Sequence, residues 1–194
     1  MVGSSVLPVA YYKNQIYFLF GKENPMEDSQ RGFSDFGGSV ESGENIIETA
    51  IREGAEETTG FLGNQNQLKK LIKKNGGMYT INHNDRYHVH IFCIDYDKHL
   101  PTYYNQNHSF LWKKMDKNLL NNSKLFEKIE IDWFTPQQMK SQKHKFRQFY
   151  REIVDTMLFE LPKIKQFIIS RSKSSHNKTK KSKSSHNKTK KSKR

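Results

Sequence analysis

Cysteine is almost missing from this sequence. Cys93 is the only one in 194 residues, so no disulfide can close within the chain, and a reducing, intracellular setting is expected. No apolar run reaches membrane-spanning length, which excludes a transmembrane helix. Met1 to Ala10 lack the basic start and long apolar stretch of a secretory leader, so the expected location is cytoplasmic. Acidic residues are absent from one region in particular. Arg171 to Arg194 holds 11 of the 33 Lys and Arg and no acid, so the rest has 22 bases against 20 acids. The net charge of +13 therefore belongs to the tail, and the body is nearly neutral. The tail also has no apolar residue. Ser172–Lys181 reads SKSSHNKTKK and Ser182–Lys191 repeats it, a composition expected to be disordered.

The remainder, residues 1–170, has 34% hydrophobic residues chain-wide to draw on, enough for one domain with a real core. Val6–Tyr12 and Gln15–Phe20 are β-rich runs around Lys13-Asn14, the pattern of a hairpin. Asn45 with Glu48 three positions on makes a capping box that opens a helix from about Ile46 to Thr58, closed by Gly60 and Gly63. Ile47, Ile51 and Ala55 form its expected apolar stripe. Met78–Ile81, Tyr87–Tyr96 and Ile129–Phe134 read as strands, and Asp97–Asn122 as an irregular Asn-rich segment. Thr135-Pro136 starts a last helix, which Phe146, Phe149, Ile153, Met157 and Leu161 carry toward Pro162.

On the first helix Glu53, Glu56 and Glu57 fall at spacings of three and four, so like charges share a face and repel. Hard divalent cations with oxygen ligands are the usual offset, and a metal on carboxylates points to phosphate chemistry. The same helix belongs to a longer pattern. Gly38, Glu44, Arg52, Glu53, Glu56 and Glu57 give G-x5-E-x7-R-E-x2-E-E, which recurs by chance on the order of once in a hundred thousand chains of this length.

This pattern strongly resembles the Nudix box of the Nudix hydrolases, and Phe33-Ser34-Asp35-Phe36-Gly37-Gly38 is similar to that family's aromatic and Gly-Gly lead-in. The resemblance implies an α/β fold, an α/β/α sandwich with a mixed sheet, and cleavage of a nucleoside diphosphate linked to a further group. It implies that Glu53, Glu56 and Glu57 bind Mg²⁺ or Mn²⁺ with the Gly38 carbonyl, and that Arg52 steadies the helix through Glu44 or Glu48. Catalytic candidates are thus Arg52, Glu53, Glu56 and Glu57, with Glu127 or Glu130 supplying a general base from outside the box. Two positions depart from the pattern: Gly54 stands where an aliphatic residue is usual, and Thr59-Gly60 delays the closing glycine by one.

Weaker signals surround this one. Arg31 is a candidate phosphate contact and Tyr103, with Tyr104 and Trp112, a candidate base-stacking residue. His88 and His90 share a strand face, but without a third ligand they read as ordinary strand positions. Lys140, Lys143, Lys145, Arg147 and Arg151 join the tail as a basic surface that suits RNA, and the tail's Lys runs also fit a nuclear address. Substrates within reach are nucleotides or capped RNA, the latter favoured on the strength of the tail and pointing to viral-type mRNA-decapping members. Small nucleotides and inositol pyrophosphates are the alternatives, and an RNA-binding adaptor without turnover is the non-enzymatic rival.

Overall fold

Val6 and Ala10 face one way along the first strand and Leu7 and Val9 the other, and both sets are fully buried. This continuous apolar run is what a strand with helices on both faces requires. The strand therefore lies inside a sandwich. The computed structural model describes residues 2–24, 31–122 and 126–171; the repeat-bearing tail from Ser172 lies outside the described residues.

Seven strands make one mixed sheet: β1 (Gly3–Tyr12), β2 (Gln15–Glu23), β3 (Phe33–Ser34), β4 (Phe36–Ser39), β5 (Met78–His83), β6 (Tyr87–Cys93) and β7 (Lys128–Phe134). β1 runs parallel to β6 and antiparallel to β2 and β4, while β7 pairs with the far edge of β2. The β1–β2 hairpin closes through Lys13 and Asn14, both at positive φ, as a two-residue turn demands. One face carries α1 (Ile46–Glu57), α2 (Gln65–Lys74) and α3 (Leu100–Lys114), with Val6, Leu19, Ile51, Leu68 and Tyr104 in the core between. After a short α4 (Lys117–Asn122), the other face receives α5 (Pro136–Ser141), α6 (Tyr150–Phe159) and a helix α7 over 161–171, packed on Phe18, Phe20, Ile91 and Phe134. Among the described residues no helix is long and apolar enough to cross a membrane.

Four expectations change. Asp97–Asn122 is not irregular. Pro101 opens α3, Tyr104 and His108 one turn apart bury its inner face, and Asn105 reaches β7, accepting from the Ile131 N–H at 2.9 Å and donating to its carbonyl at 3.2 Å. The C-terminal helix is not continuous, because a 3₁₀ turn (Lys143–Lys145) and the extended Phe146 break it between α5 and α6. α2 was not anticipated, although Asn64 and Gln67 cap it as a full capping box. The inner face of α1 is Ala50, Ile51, Gly54 and Glu57, whereas Ile47 is 40% exposed.

Gly54 explains how α1 lies so close to the sheet: a Cβ there would overlap Val6 Cγ2 and meet Leu68 Cδ2 at 3.3 Å. Alanine would gain about 1 kcal/mol of helix propensity, but overpacking costs more. Gly54→Ala is expected to lower stability by about 1–2 kcal/mol in urea unfolding, and Val6→Ala in the same chain to recover most of that loss.

Candidate active site

The site begins at two glycines, the first of which has no room for a side chain. At Gly37 a Cβ would run into Ser5 on β1, and at Gly38 it would overlap the Glu53 carboxylate. The loop before α1 is thereby laid directly against the helix. Asn45 accepts hydrogen bonds from the N–H groups of Ile47 and Glu48, and Glu48 answers on the Asn45 N–H at 3.0 Å, so the helix starts at a fixed place. It stops at Thr58, where Thr59 takes φ +48 and Gly60 φ +75. The left-handed turn expected of the closing glycine is thus shared with a β-branched residue, a strained choice.

Arg52 is the centre of the exposed half. Its Nε and Nη2 grip Glu44 at 2.7 and 3.0 Å, and its Nη1 reaches Glu53 Oε1 at 2.8 Å and Glu56 Oε2 at 3.6 Å. The Arg52 fork, with a hydrogen bond from Thr49, holds the Glu44 carboxyl down at about 2. Glu48 is occupied by the helix cap, so of the two expected partners it is Glu44 that Arg52 uses. This one guanidinium lets three carboxylates, Glu44, Glu53 and Glu56, gather around it.

Glu57 belongs to the buried half. Its Oε2 accepts the Gly37 N–H at 2.7 Å, and its Oε1 lies 3.2 Å from the ammonium of Lys128. Lys128 is only 1% exposed. It is also bonded to Glu23, and to Ser34 at 3.1 Å, while Glu23 in turn holds Arg147 at 2.8 Å. Burial pushes the Glu57 carboxyl up, and Lys128 opposes it. Burial pulls Lys128 down, and Glu57 and Glu23 more than reverse that, so the ammonium stays charged. A row of alternating charges, Arg147–Glu23–Lys128–Glu57, thus runs beneath the loop.

A second buried group adjoins it. Asp35 accepts from the Ser5 hydroxyl and, at 2.7 Å, from the Tyr87 phenol, yet burial outweighs these bonds and raises its carboxyl from 3.8 to about 6. His90 sits between Thr80 Oγ1 at 2.8 Å and Ser4 Oγ at 3.2 Å, and burial lowers it to about 4, so it is neutral and structural.

The remaining candidates fall apart in space. Glu130 pairs with Lys22 at 2.8 Å on a half-exposed sheet surface. Glu127 stands near enough for its charge to push Glu57 up. Arg31 is exposed just before β3, and Tyr103, 62% exposed, lies on the outer side of α3, where its ring approaches His99 at 5.9 Å. Neither lines the cleft of about 310 Å³ beside the loop, which is walled by Gly37, Gly38, Arg86, Tyr87, Arg147 and Phe149. Lys128, Glu23, Asp35 and Arg86 were not singled out from the sequence. Only Asp35, inside the Gly-Gly lead-in, stood where a local signal existed.

The donors suit a hard divalent cation: Glu53, Glu56 and Glu57 offer only oxygen, and the bare backbone of Gly38 lies against the Glu53 carboxylate. Among the described residues no three His, Cys, Asp or Glu side chains already converge on one point. Glu53 is turned to Arg52 and Glu57 to Lys128.

The NUDIX domain family model matches residues 9–157. The chain belongs to this family. By its family it is an enzyme of the Nudix class, a pyrophosphatase, in which divalent metal is the general requirement. Similar solved structures include a Nudix hydrolase from M. smegmatis, RenU, at 11% identity over 86% of this chain and 87% of that one, TM-score 0.45. The C. elegans Ap4A hydrolase is 14% identical over 87% and 98%, TM-score 0.45. The NUDIX domain of Shewanella oneidensis NrtR, in complex with ADP ribose, is 9% identical over 83% and 88%, TM-score 0.43. No curated protein matches the chain.

The raised Asp35 gives a pH test. Its folded carboxyl holds its proton to higher pH than in the unfolded chain, so its contribution to stability is full below about pH 4 and lost as pH rises through about 6. Between pH 3.5 and 7 the wild type should lose about 3 kcal/mol relative to Asp35→Asn, read from urea unfolding at each pH. Parallel pH profiles would show that Asp35 is not perturbed.

Proposed function

We propose that this chain is a divalent-cation-dependent Nudix pyrophosphohydrolase that cleaves a nucleoside diphosphate linked to a further group, with the 5′ cap of mRNA as its substrate. The observation that carries the hydrolase reading is the acidic turn of α1 laid on Gly37-Gly38, with Glu53 against Gly38 and Glu57 bonded to the Gly37 N–H.

In this reading Glu53, Glu56, Glu57 and the Gly38 carbonyl would hold Mg²⁺ or Mn²⁺. When bound, the cation neutralises the pyrophosphate and makes water a stronger nucleophile at neutral pH. Arg52 keeps Glu44, Glu53 and Glu56 gathered around it, and Lys128 opposes the burial that pushes the Glu57 carboxyl up. Water forms a bond to phosphorus, the bridging P–O bond breaks, and a phosphate anion leaves. The proton lost by water goes to a carboxylate outside the box. Glu127, whose charge acts on Glu57, and Glu130, paired with Lys22, are the two candidates for that base.

The capped-RNA assignment rests on charge. The 11 basic residues from Arg171 to Arg194 would bind phosphate backbone without regard to sequence and lose affinity as salt rises. Residues 1–170 are then the catalytic unit of an intracellular enzyme, and the tail an RNA-holding and nuclear-address segment. A small nucleotide as the whole substrate is the second reading, and the cleft of about 310 Å³ favours it.

The test is a substrate panel with Mn²⁺: cap-labelled RNA, free cap analogue, dinucleoside polyphosphates, nucleotide sugars and an inositol pyrophosphate. Glu57→Gln and chelation by EDTA should each reduce turnover of the best substrate roughly a hundredfold or more. Truncation after Ser170 should raise KM for capped RNA and flatten its salt dependence, with little change for free cap analogue. Full activity in Glu57→Gln would remove the metal assignment, and turnover of free nucleotides alone would remove the RNA one. No turnover of any substrate would leave an RNA-binding adaptor.

A further inference from the structure

β1 meets Gly37 and Gly38 through Ser5 and Ser4 near its start, and its other end carries a patch that the hydrolase reading leaves unused. Four aromatic rings lie side by side there. Tyr12 stacks on Tyr96 at 4.9 Å and 19°, Tyr17 approaches Tyr96 at 4.4 Å, and Tyr96 meets Trp133 at 5.4 Å. Trp133 is buried, Tyr17 and Tyr96 are half-buried, and Tyr12 is 43% exposed. The core thus comes to the surface as an open ring face.

Carboxylates surround these rings. Asp95, Asp97 and Asp132 are exposed, and among the described residues none of them makes an ion pair with a Lys or Arg. The charges of Asp132 and Asp97 reach the Tyr96 phenol, so acids and rings form one patch. The cations close by are Lys13, Lys98 and Lys145, the last acting on Asp132 against the push of Glu130. Lys13 sets its ammonium 5.4 Å from the Tyr12 ring centre, so the patch already takes one lysine on a ring face. Unpaired carboxylates beside open rings repel a phosphate chain and attract an ammonium or a guanidinium.

This chain supplies such groups at short range. α7 ends at Arg171, whose side chain lies against Gly76, and the charge of Arg171 acts on Cys93, the last residue of β6. The Asn75 amide, next to Gly76, bonds the Cys93 carbonyl at 2.8 Å. Tyr96 follows Cys93 by three residues, a span of about 10 Å at most. Ten of the 11 bases counted in the tail come after Arg171, with no acid among them. A segment tethered beside its receptor acts at a local concentration on the order of millimolar, above that of a separate partner. The repeat also offers the same groups twice, at Lys180-Lys181 and Lys190-Lys191.

We propose that the tail, residues 172–194, docks its lysines on the patch formed by Tyr12, Tyr17, Tyr96, Asp95, Asp97 and Asp132. Docked lysines are withheld from any phosphate backbone, so the patch holds the tail's affinity for RNA down until RNA outcompetes it. That consequence rests on the RNA reading of the tail. The docking itself uses no residue of the acidic turn and holds with either class of substrate.

The test is carbodiimide coupling of carboxylates to lysines in the full chain, at about 0.15 M salt to screen long-range attraction. Joined residues are mapped by mass spectrometry on the monomer. Tail lysines should join Asp95, Asp97 or Asp132 several-fold more often than Glu41, Asp85 or Glu152, exposed acids outside the patch. Tyr12→Ala and Asp95→Lys should each cut coupling to Asp97 and Asp132 about threefold or more. Each should also tighten binding of a single-stranded RNA about twofold or more, as lysines return to the competent pool. Both side chains are exposed, and unfolding curves matching wild type will establish that each variant folds. Coupling spread evenly over the exposed acids overturns the proposal, as does patch coupling that neither variant reduces. Coupling found only between copies overturns it too, since the occupant would then be a second chain. Saturating RNA should release the patch coupling. Coupling that persists there would remove the tail's role in RNA binding and leave the docking standing.

Discussion

The ammonium of Lys128 is the point on which the interior of this enzyme depends. It lies between Glu23 from β2 and Glu57 from α1, almost wholly out of water. Removing one member of such a buried set leaves an uncompensated charge, which is far more costly than losing a surface pair. Because Glu57 also takes the Gly37 N–H and Glu23 also takes Arg147, the single cation links the Gly37-Gly38 segment to Arg147 on the cleft wall. The acidic turn and the cleft are therefore mechanically one piece. Arg52 does the corresponding work on the solvent side, with partial exposure and a fork of hydrogen bonds in place of full burial.

Two counter-cations with different surroundings divide the glutamates of α1 into different kinds. Glu53 and Glu56 sit on the Arg52 side, where solvent reaches and a carboxylate can turn toward a newcomer at modest cost. Glu57 is anchored by a backbone N–H and a buried ammonium. Of the three, it is the one whose direction is set by the fold rather than by whatever binds.

What was legible in the sequence was local. Asn45 with Glu48 and the Gly-Gly lead-in act within a turn or two and are found where expected, whereas of the three acids Glu57 turns into the core. Gly54 was readable as a close contact because glycine inside a helix needs a reason. What was not legible depends on long-range meetings. Lys128 resembles any polar residue at a strand edge until Glu23, 105 positions away, closes over it. α3 was missed because asparagine is a poor helix former, and here Asn105 is kept for its amide, which bonds a strand 26 residues on. α2 had a readable start in Asn64 and Gln67, but its short apolar set of Leu68, Leu71 and Ile72 carries little periodic signal. The break between α5 and α6 places Phe146 in the core against Phe20 and Phe134, a packing demand that helical spacing did not reveal.

The bond pair from Asn105 to Ile131 has a consequence beyond holding a helix in place. β7 borders the sheet, with β2 on one side, and a bare border of N–H and C=O groups is a template on which another chain can add a strand. A side-chain amide copies one peptide unit, donor and acceptor together, and so fills the middle of that border without offering a new one. A single asparagine thus caps the middle of that edge, a protection that comes from a residue with no part in the chemistry.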